Sequence, residues 1–197
     1  MLHALRLRGP ADHTAIIDRF ALDSRDVGEL LLDFEAYGWV RRVDGLTLPE
    51  WILTDTGRIR GEELLAAELD ATGTRRAVTK AHKTFDTLDT RFSQMVARWA
   101  VHPTRDDPRA RNDHSDRRWD FEVLGDLSAL WRRSRRICEG LSGSLARFDG
   151  YFPRFTNAVS RTWGGGHGWM AGRDVDSCEA VWSELREDLT ATLARHS

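Results

Sequence analysis

Residues 24–60 read SRDVGELLLDFEAYGWVRRVDGLTLPEWILTDTGRIR, and the order of patterns in this stretch decides the fold of the first third of the chain. Val27, Leu30, Leu31, Phe34 and Tyr37 recur at three- and four-residue intervals, the period of an amphipathic helix. Asp23 or Ser24 stands where a helix start wants a side-chain acceptor, and Gly38 where a helix end wants a left-handed residue. The spacing therefore predicts a helix over Ser24–Trp39. WVRRV and EWILT are β-rich runs joined by DGLTLP, a connection longer than a tight hairpin turn. Asp55 or Thr56 can cap a further helix, RIRGEELLAAEL.

Upstream, LHALRLRG reads as a helix stopped at Gly9-Pro10, because proline disfavours helix in the residue before it; HTAIIDRFAL is a second short helix. Helix, helix, helix, strand, loop, strand is the order of a winged helix-turn-helix. GELLLDFEAYGWVRRV, the loop after it and WILTDTGR resemble the MarR-like winged-helix repressors over about the first third of the chain. The resemblance implies a DNA-binding module with Ser24–Trp39 as the recognition helix. Arg25 is then the base-reading candidate. Arg41 and Arg42 at the base of the wing, with Arg58 and Arg60, are the expected DNA contacts, and Arg6 and Arg8 could add backbone contacts.

From Thr74 the chain reads as all-helical. One stripe runs Ala77, Ala81, Phe85, Leu88, Phe92, Met95, Val96, Trp99, and a second runs Trp119, Val123, Leu127, Leu130, Trp131, Ile137, Leu141. A third helix is expected from Gly143 to Trp163, with Leu145, Phe148, Phe152, Phe155 and Val159 inward and a kink or split at Pro153. GGGHGWMAGR is expected to be a flexible loop. A last helix carries Val181, Trp182, Leu185, Leu189 and Leu193, with Asp176 and Glu179 spaced like a capping box. The expected fold class is therefore mainly α: a winged helix over residues 1–72 with a small β-hairpin wing, then an all-α helical bundle over 73–197.

RWAVHP, NDHSDRRWD and DSCEAVWSELREDLTATL resemble a helical segment of actinobacterial proteins described as winged-helix regulators or as pyruvate phosphate dikinase relatives. In those relatives the last stretch reads more like DSYHTVWFELHEDLLATLG, so Glu179 and Arg186 here replace histidines. The dikinase resemblance would imply a partner that uses phosphoenolpyruvate. The chain shows neither a nucleotide-grasp domain nor a phosphohistidine loop.

Charge is uneven. Residues 1–70 hold 8 basic against 14 acidic side chains, a net of −6, and residues 71–120 hold 11 against 7, a net of +4. The first segment thus lacks the bulk positive charge of a phosphate-binding domain. No apolar run reaches the roughly 18 residues of a membrane span. The two cysteines, Cys138 and Cys178, form no framework, so the expected setting is reducing and cytoplasmic.

NDHSD (Asn112–Asp116) carries the richest chemistry. Asn, Asp and Ser start helices, and Asp113 or Ser115 as N-cap with Asp116 in the first turn accounts for most of it. A ligand-binding role for Asp113, His114 and Asp116 is the second reading. A metal would need a third ligand such as His102, His167 or Glu122, and the spacing offers no HxxxH, HExxH or CxxC. Trp99, Trp119, Trp131 and Trp182 are expected either as plain core or as the lining of an apolar pocket. GGGHGW lacks the strand and the lysine of a phosphate loop. WRRSRR sets Arg132, Arg133, Arg135 and Arg136 on a solvated face or a patch for an acidic partner.

The function expected from these readings is a homodimeric DNA-binding transcriptional regulator. Its helical part would hold the dimer and sense a small molecule, with no cofactor and no catalytic residue assigned. The alternatives are a small-molecule-binding protein or enzyme on a regulator-derived scaffold that has lost DNA binding, or an accessory module of a phosphoenolpyruvate-utilising enzyme.

Overall fold

The computed structural model describes residues 1–20, 23–45 and 48–194, without the side chains of Arg19 and Phe20. The expected end of the second helix at Ala21 and Leu22, the hairpin tip at Leu46 and Thr47, and the chain end from residue 195 lie outside the described residues. The chain is mainly helical, with eight α-helices and one two-stranded antiparallel sheet among the described residues. It divides into two compact units: residues 1–71 together with the end of the last helix from Thr190, and Thr72–Leu189. No helix of the described residues is long and apolar enough to cross a membrane.

The first unit contains α1 (Leu2–Arg8), α2 (His13–Phe20), α3 (Ser24–Ala36), β1 (Val40–Val43), β2 (Glu50–Leu53) and α4 (Asp55–Thr72). Asp23 caps α3, its Oδ1 accepting from the Arg25 and Asp26 amides at 2.9 and 3.3 Å. The helix stops at Ala36, short of the expected Trp39, because Gly38 takes a left-handed φ of 72° and turns the chain. Val27 and Leu31 face the core, but the expected stripe is narrower: Leu30 and Tyr37 are exposed. β1 and β2 pair in the register Val40↔Leu53 and Arg42↔Trp51. Ala11, between α1 and α2, exchanges two backbone hydrogen bonds with Trp51 as an isolated bridge on the sheet edge that the sequence does not announce.

Thr54 caps α4 in place of the expected Asp55 or Thr56. Its hydroxyl accepts from the Gly57 amide at 3.0 Å and donates to the Gly38 and Trp39 carbonyls, tying the end of α3, the start of β1 and the start of α4 together. Any side chain at position 57 would collide with the Trp39 carbonyl, so glycine is required there. Leu2, Leu5, Ile16, Val27, Leu31, Val40 and Trp51 form the core under this frame.

The second unit contains α5 (Arg75–Ala100), α6 (Arg117–Ser142), α7 (Tyr151–Trp163) and most of α8 (Cys178–Leu193). α5 packs along α6, and α6 along α7. On α5 the buried stripe starts at Val78, and the expected Ala77 is exposed: the larger side chain takes the inward register. Trp182 of α8 is the centre of the aromatic core. It stacks on Phe85 at 4.5 Å and Phe92 at 4.7 Å, meets Phe155 at 5.5 Å, and its Nε1 donates to Asp89 at 2.8 Å.

Three expectations for this unit are corrected. Pro153 neither kinks nor splits a helix; it is the third residue of α7, where the backbone amide needs no partner, and the run from Gly143 instead breaks earlier, into a 3-10 turn at Ala146–Phe148. The α8 cap is Ser177, whose Oγ accepts from the Ala180 amide at 3.2 Å. Asp176 is drawn away by Arg154, which binds it through Nε and Nη2 and also grips Glu184. Burial opposes the charge on Arg154, but the hydrogen bonds to Asp176 and Glu184 outweigh it and raise its pKa. GGGHGWMAGR is a hydrogen-bonded turn, with a 3-10 helix at His167–Trp169 and a fully buried Met170 whose carbonyl accepts from the Glu179 amide at 2.9 Å.

Cutting Trp182 to alanine removes the shared face of three rings and one of the hydrogen bonds to Asp89, which Arg186 still holds. Trp182→Ala is expected to lower unfolding stability by ~3–5 kcal/mol, read from urea melts. Both thiols are buried, and burial pushes Cys138 and Cys178 up to about 12. At pH 8 neither should react with a disulfide reagent in the native protein, while both should react at once in denaturant; a fast native reaction would contradict the packing.

Candidate functional site

The segment between α5 and α6 is closed at its base. Val101 bridges Arg111, and the Asn112 amide donates to the Ala100 carbonyl at 2.9 Å, so NDHSD starts beside the end of α5. Asp116 is the N-cap of α6, accepting from the Arg118 and Trp119 amides at 2.9 and 3.1 Å. Neither Asp113 nor Ser115 takes that role. Exposed Asp113 accepts from the hydroxyl and the amide of Ser115, which hold its carboxyl below the usual carboxylate range.

Asn112 is buried and fully used. Its Oδ1 accepts from the His114 amide at 3.0 Å, and its Nδ2 donates to the Trp99 carbonyl at 3.0 Å and to Asp120 Oδ1 at 2.9 Å. The first of these bonds holds His114 in the left-handed region, at φ 61°, the one non-glycine residue there among those described. This conformation turns the imidazole inward. Its Nδ1 lies 3.0 and 3.1 Å from the two oxygens of Asp120, so with the Asn112 hydrogens already engaged, Nδ1–H donates to the carboxylate.

His167 completes the group, its ring centroid 4.0 Å from that of His114. Trp99 forms the buried wall, 4.5 Å from His114 and 5.8 Å from His167, and its Nε1 donates to the His167 carbonyl. His114, Asp120 and His167 each offer a ligand atom, and these atoms lie within 4.8 Å of one another. His114 and Asp120 are half-buried to buried, and His167 is at the exposed edge. Chemically the group is a histidine oriented by a carboxylate beside a second imidazole. It can take up a proton at a ring nitrogen or hold a cation.

The expected ligand residues divide here. His114 and Trp99 belong to the group. Asp113 and Asp116 make the turn and the cap, and Asp116 also lies 3.7 Å from His102. Trp119 stands next door, between His102 and Arg98, with Nε1 on the Arg98 carbonyl. Trp131 stacks on Phe152 and donates to Thr156, and Trp182 is core; neither meets the histidines. Glu122 pairs with Arg98 and Arg118 instead. Asn112 and Asp120 were missed as site residues. The signal for Asp120 was present, because a carboxylate at this position falls on the same helical face as Val123 and Leu127.

No tryptophan lines the open cavities described. Grooves of about 400 and 650 Å³ run beside α5 and α6, edged by Arg91, Arg98, Arg132, Arg133 and Arg136 over Leu88 and Met95. Three of the four arginines of WRRSRR thus line a groove, and Arg135 is bound to Glu139 at 2.7 Å.

The expected DNA contacts are exposed, except the half-buried Arg60, and mostly engaged. Arg25 pairs with Glu29, Arg42 with Glu35, Arg58 with Glu62 and Arg60 with Glu63. Arg42 also lies over the Trp51 ring and Arg60 over Trp39. Arg41 is exposed on β1. No family model, no curated protein and no solved structure matches the chain.

The backbone at His114 gives a direct check. His114→Gly and His114→Ala both lose the imidazole, but only glycine adopts this φ without strain. The glycine variant should be the more stable by about 1 kcal/mol in urea melts; equal stability would mean that position 114 is not held left-handed.

Proposed function

We propose that the chain is a regulator in which the first unit is a winged helix that meets DNA and the helical unit, a bundle, carries the responsive site. The observation that carries this reading is the order of the first unit: α1, a bridging segment at Ala11, α2, α3, then a hairpin whose second strand pairs with Ala11. In that order α3 presents Ser24, Arg25, Asp26 and Glu29 to solvent, as a groove-reading helix needs. The exposed ion pairs of Arg25, Arg42 and Arg60 do not disable them, because such pairs are worth only ~0–1 kcal/mol and a phosphate competes for the guanidinium. A homodimer would double these few contacts and set two recognition helices at a fixed spacing.

One observation favours a second reading. The exposed side of α3 holds Asp26, Glu29, Asp33 and Glu35 against Arg25 alone, with Leu32 and Tyr37 bare beside them. Carboxylates facing a phosphate backbone are repulsive, whereas an acidic face with apolar anchors suits a basic protein partner.

Binding of the full chain to sheared genomic DNA separates the two. A regulator with about four phosphate contacts per dimer should lose roughly 100-fold in affinity between 50 and 200 mM salt. Arg41→Ala and Arg42→Ala, each present in both subunits, should each flatten that salt slope by about two units. No binding at ~50 mM salt removes the DNA reading and leaves the protein-partner one.

A further inference from the structure

The group at the end of α5 has more order around it than a helix start requires. Asp116 alone satisfies the first amides of α6. Asn112 serves a different end: a buried amide fixes a strained histidine and the carboxylate facing it. A left-handed non-glycine residue costs free energy, and a buried amide is tolerated only when its hydrogen bonds are made; both features act on the same pair of side chains. The glycine-flanked turn at Gly164–Gly168 then delivers a second imidazole to the open side of that pair.

We propose that His114, Asp120 and His167 form a binding site for a divalent first-row transition-metal ion of the zinc class. Two imidazoles and one carboxylate are the donor set such ions take, and it discriminates against magnesium and calcium, which call for all-oxygen shells. Metal–ligand bonds of ~2.0–2.2 Å place neighbouring ligand atoms about 3.3 Å apart. His114 Nδ1 and Asp120 are already 3.0 Å apart, and His167, at the exposed edge, is free on its outer side to close the remaining gap.

The resting pair holds a proton on Nδ1 directed at the carboxylate. The cation takes that proton's place, binding Nδ1, a carboxylate oxygen and one nitrogen of His167, and the proton leaves to solvent. Asn112 Nδ2 keeps its bond to the carboxylate and so acts as the support that orients a ligand. Trp99 excludes water from the inner side. Three protein ligands leave at least one position open outward, which makes the ion exchangeable and accessible to a small anionic or neutral donor rather than a sealed structural staple. The inference stands apart from the DNA reading, since the ion is measured without nucleic acid.

The test uses the 197-residue chain, freed of metal by a chelator and titrated with Co(II) followed by Zn(II). The expected result is one Co(II) per chain, with visible absorption bands of an imidazole-ligated ion that Zn(II) abolishes. H114A and H167A should each weaken binding by more than about 100-fold, and N112A by about 10- to 100-fold. H82Q, on α5 beside Asp86 and outside the group, should leave it unchanged. H167A decides the matter if H114A or N112A folds poorly, because His167 is exposed; circular dichroism and the melting temperature report its fold. Absence of Co(II) binding by the unaltered protein overturns the proposal, as does binding that H167A leaves intact.

Discussion

Three parts of the helical unit meet on one buried amide. Asn112 ties the last turn of α5 through the Trp99 carbonyl, sets the backbone of His114, and reaches across to Asp120 one turn into α6. An amide in that position has no water to fall back on, so each bond that it makes is enforced by the cost of leaving it unmade. The left-handed conformation of His114, the inward aim of its ring and the hydrogen bond to Asp120 all follow from that enforcement. The helix cap at Asp116 is a separate device in the same five residues. NDHSD is therefore both a helix start and part of a histidine–carboxylate cluster: Asp113 and Asp116 serve the turn and the cap, Asn112 and His114 the cluster.

A second frame of the same kind holds the first unit. The Thr54 hydroxyl closes the end of α3, the start of β1 and the start of α4 on itself, and Gly57 lets the α4 backbone come against the Trp39 carbonyl. With those closures made, α3 is supported by Val27 and Leu31 and turns its remaining surface outward. The charge of that surface and the order of the helices favour different ones of the two proposed readings. The helix order suits groove reading, while the carboxylates around Arg25 suit a basic partner. Electrostatics at a solvent-facing helix depends on ionic strength, which is why salt is the variable that separates the two.

The elements themselves were legible from spacing, because apolar periodicity and turn chemistry act within one or two turns of chain. Most expected helices and both strands occur among the described residues with ends shifted by a few residues, while the run expected from Gly143 breaks into a 3-10 turn and a helix that starts only at Tyr151. Each shift has a physical cause: Gly38 stops α3 early, Thr54 precedes the first residue of α4 and takes the Gly57 amide as its cap, and Arg154 takes Asp176 out of competition so that Ser177 caps α8. The last of these could not be read in advance, since it depends on a residue 22 positions away. His114 stood out in the sequence, and Asp120 was marked only by its place on the apolar face of its helix, beside Val123 and Leu127. His167 lay in a glycine-rich stretch with nothing to single it out from His102 and Glu122, the other possible third ligands.

Composition and periodicity alone determined a mainly helical chain with a small hairpin after its third helix, an acidic front part and a tryptophan-rich remainder. These are properties of nearest neighbours and of counts, and they need no folded partner to be true. Which tryptophans became core and which became the wall of a site was decided only when helices met: Trp182 and Trp99 are equally apolar and equally spaced, and differ in what stands opposite them. The cluster of His114, Asp120 and His167 belongs to the same class. Its members lie up to 53 residues apart in the chain, and only packing of the turn before α8 against the ends of α5 and α6 brings their ring nitrogens and carboxylate within reach of one ion.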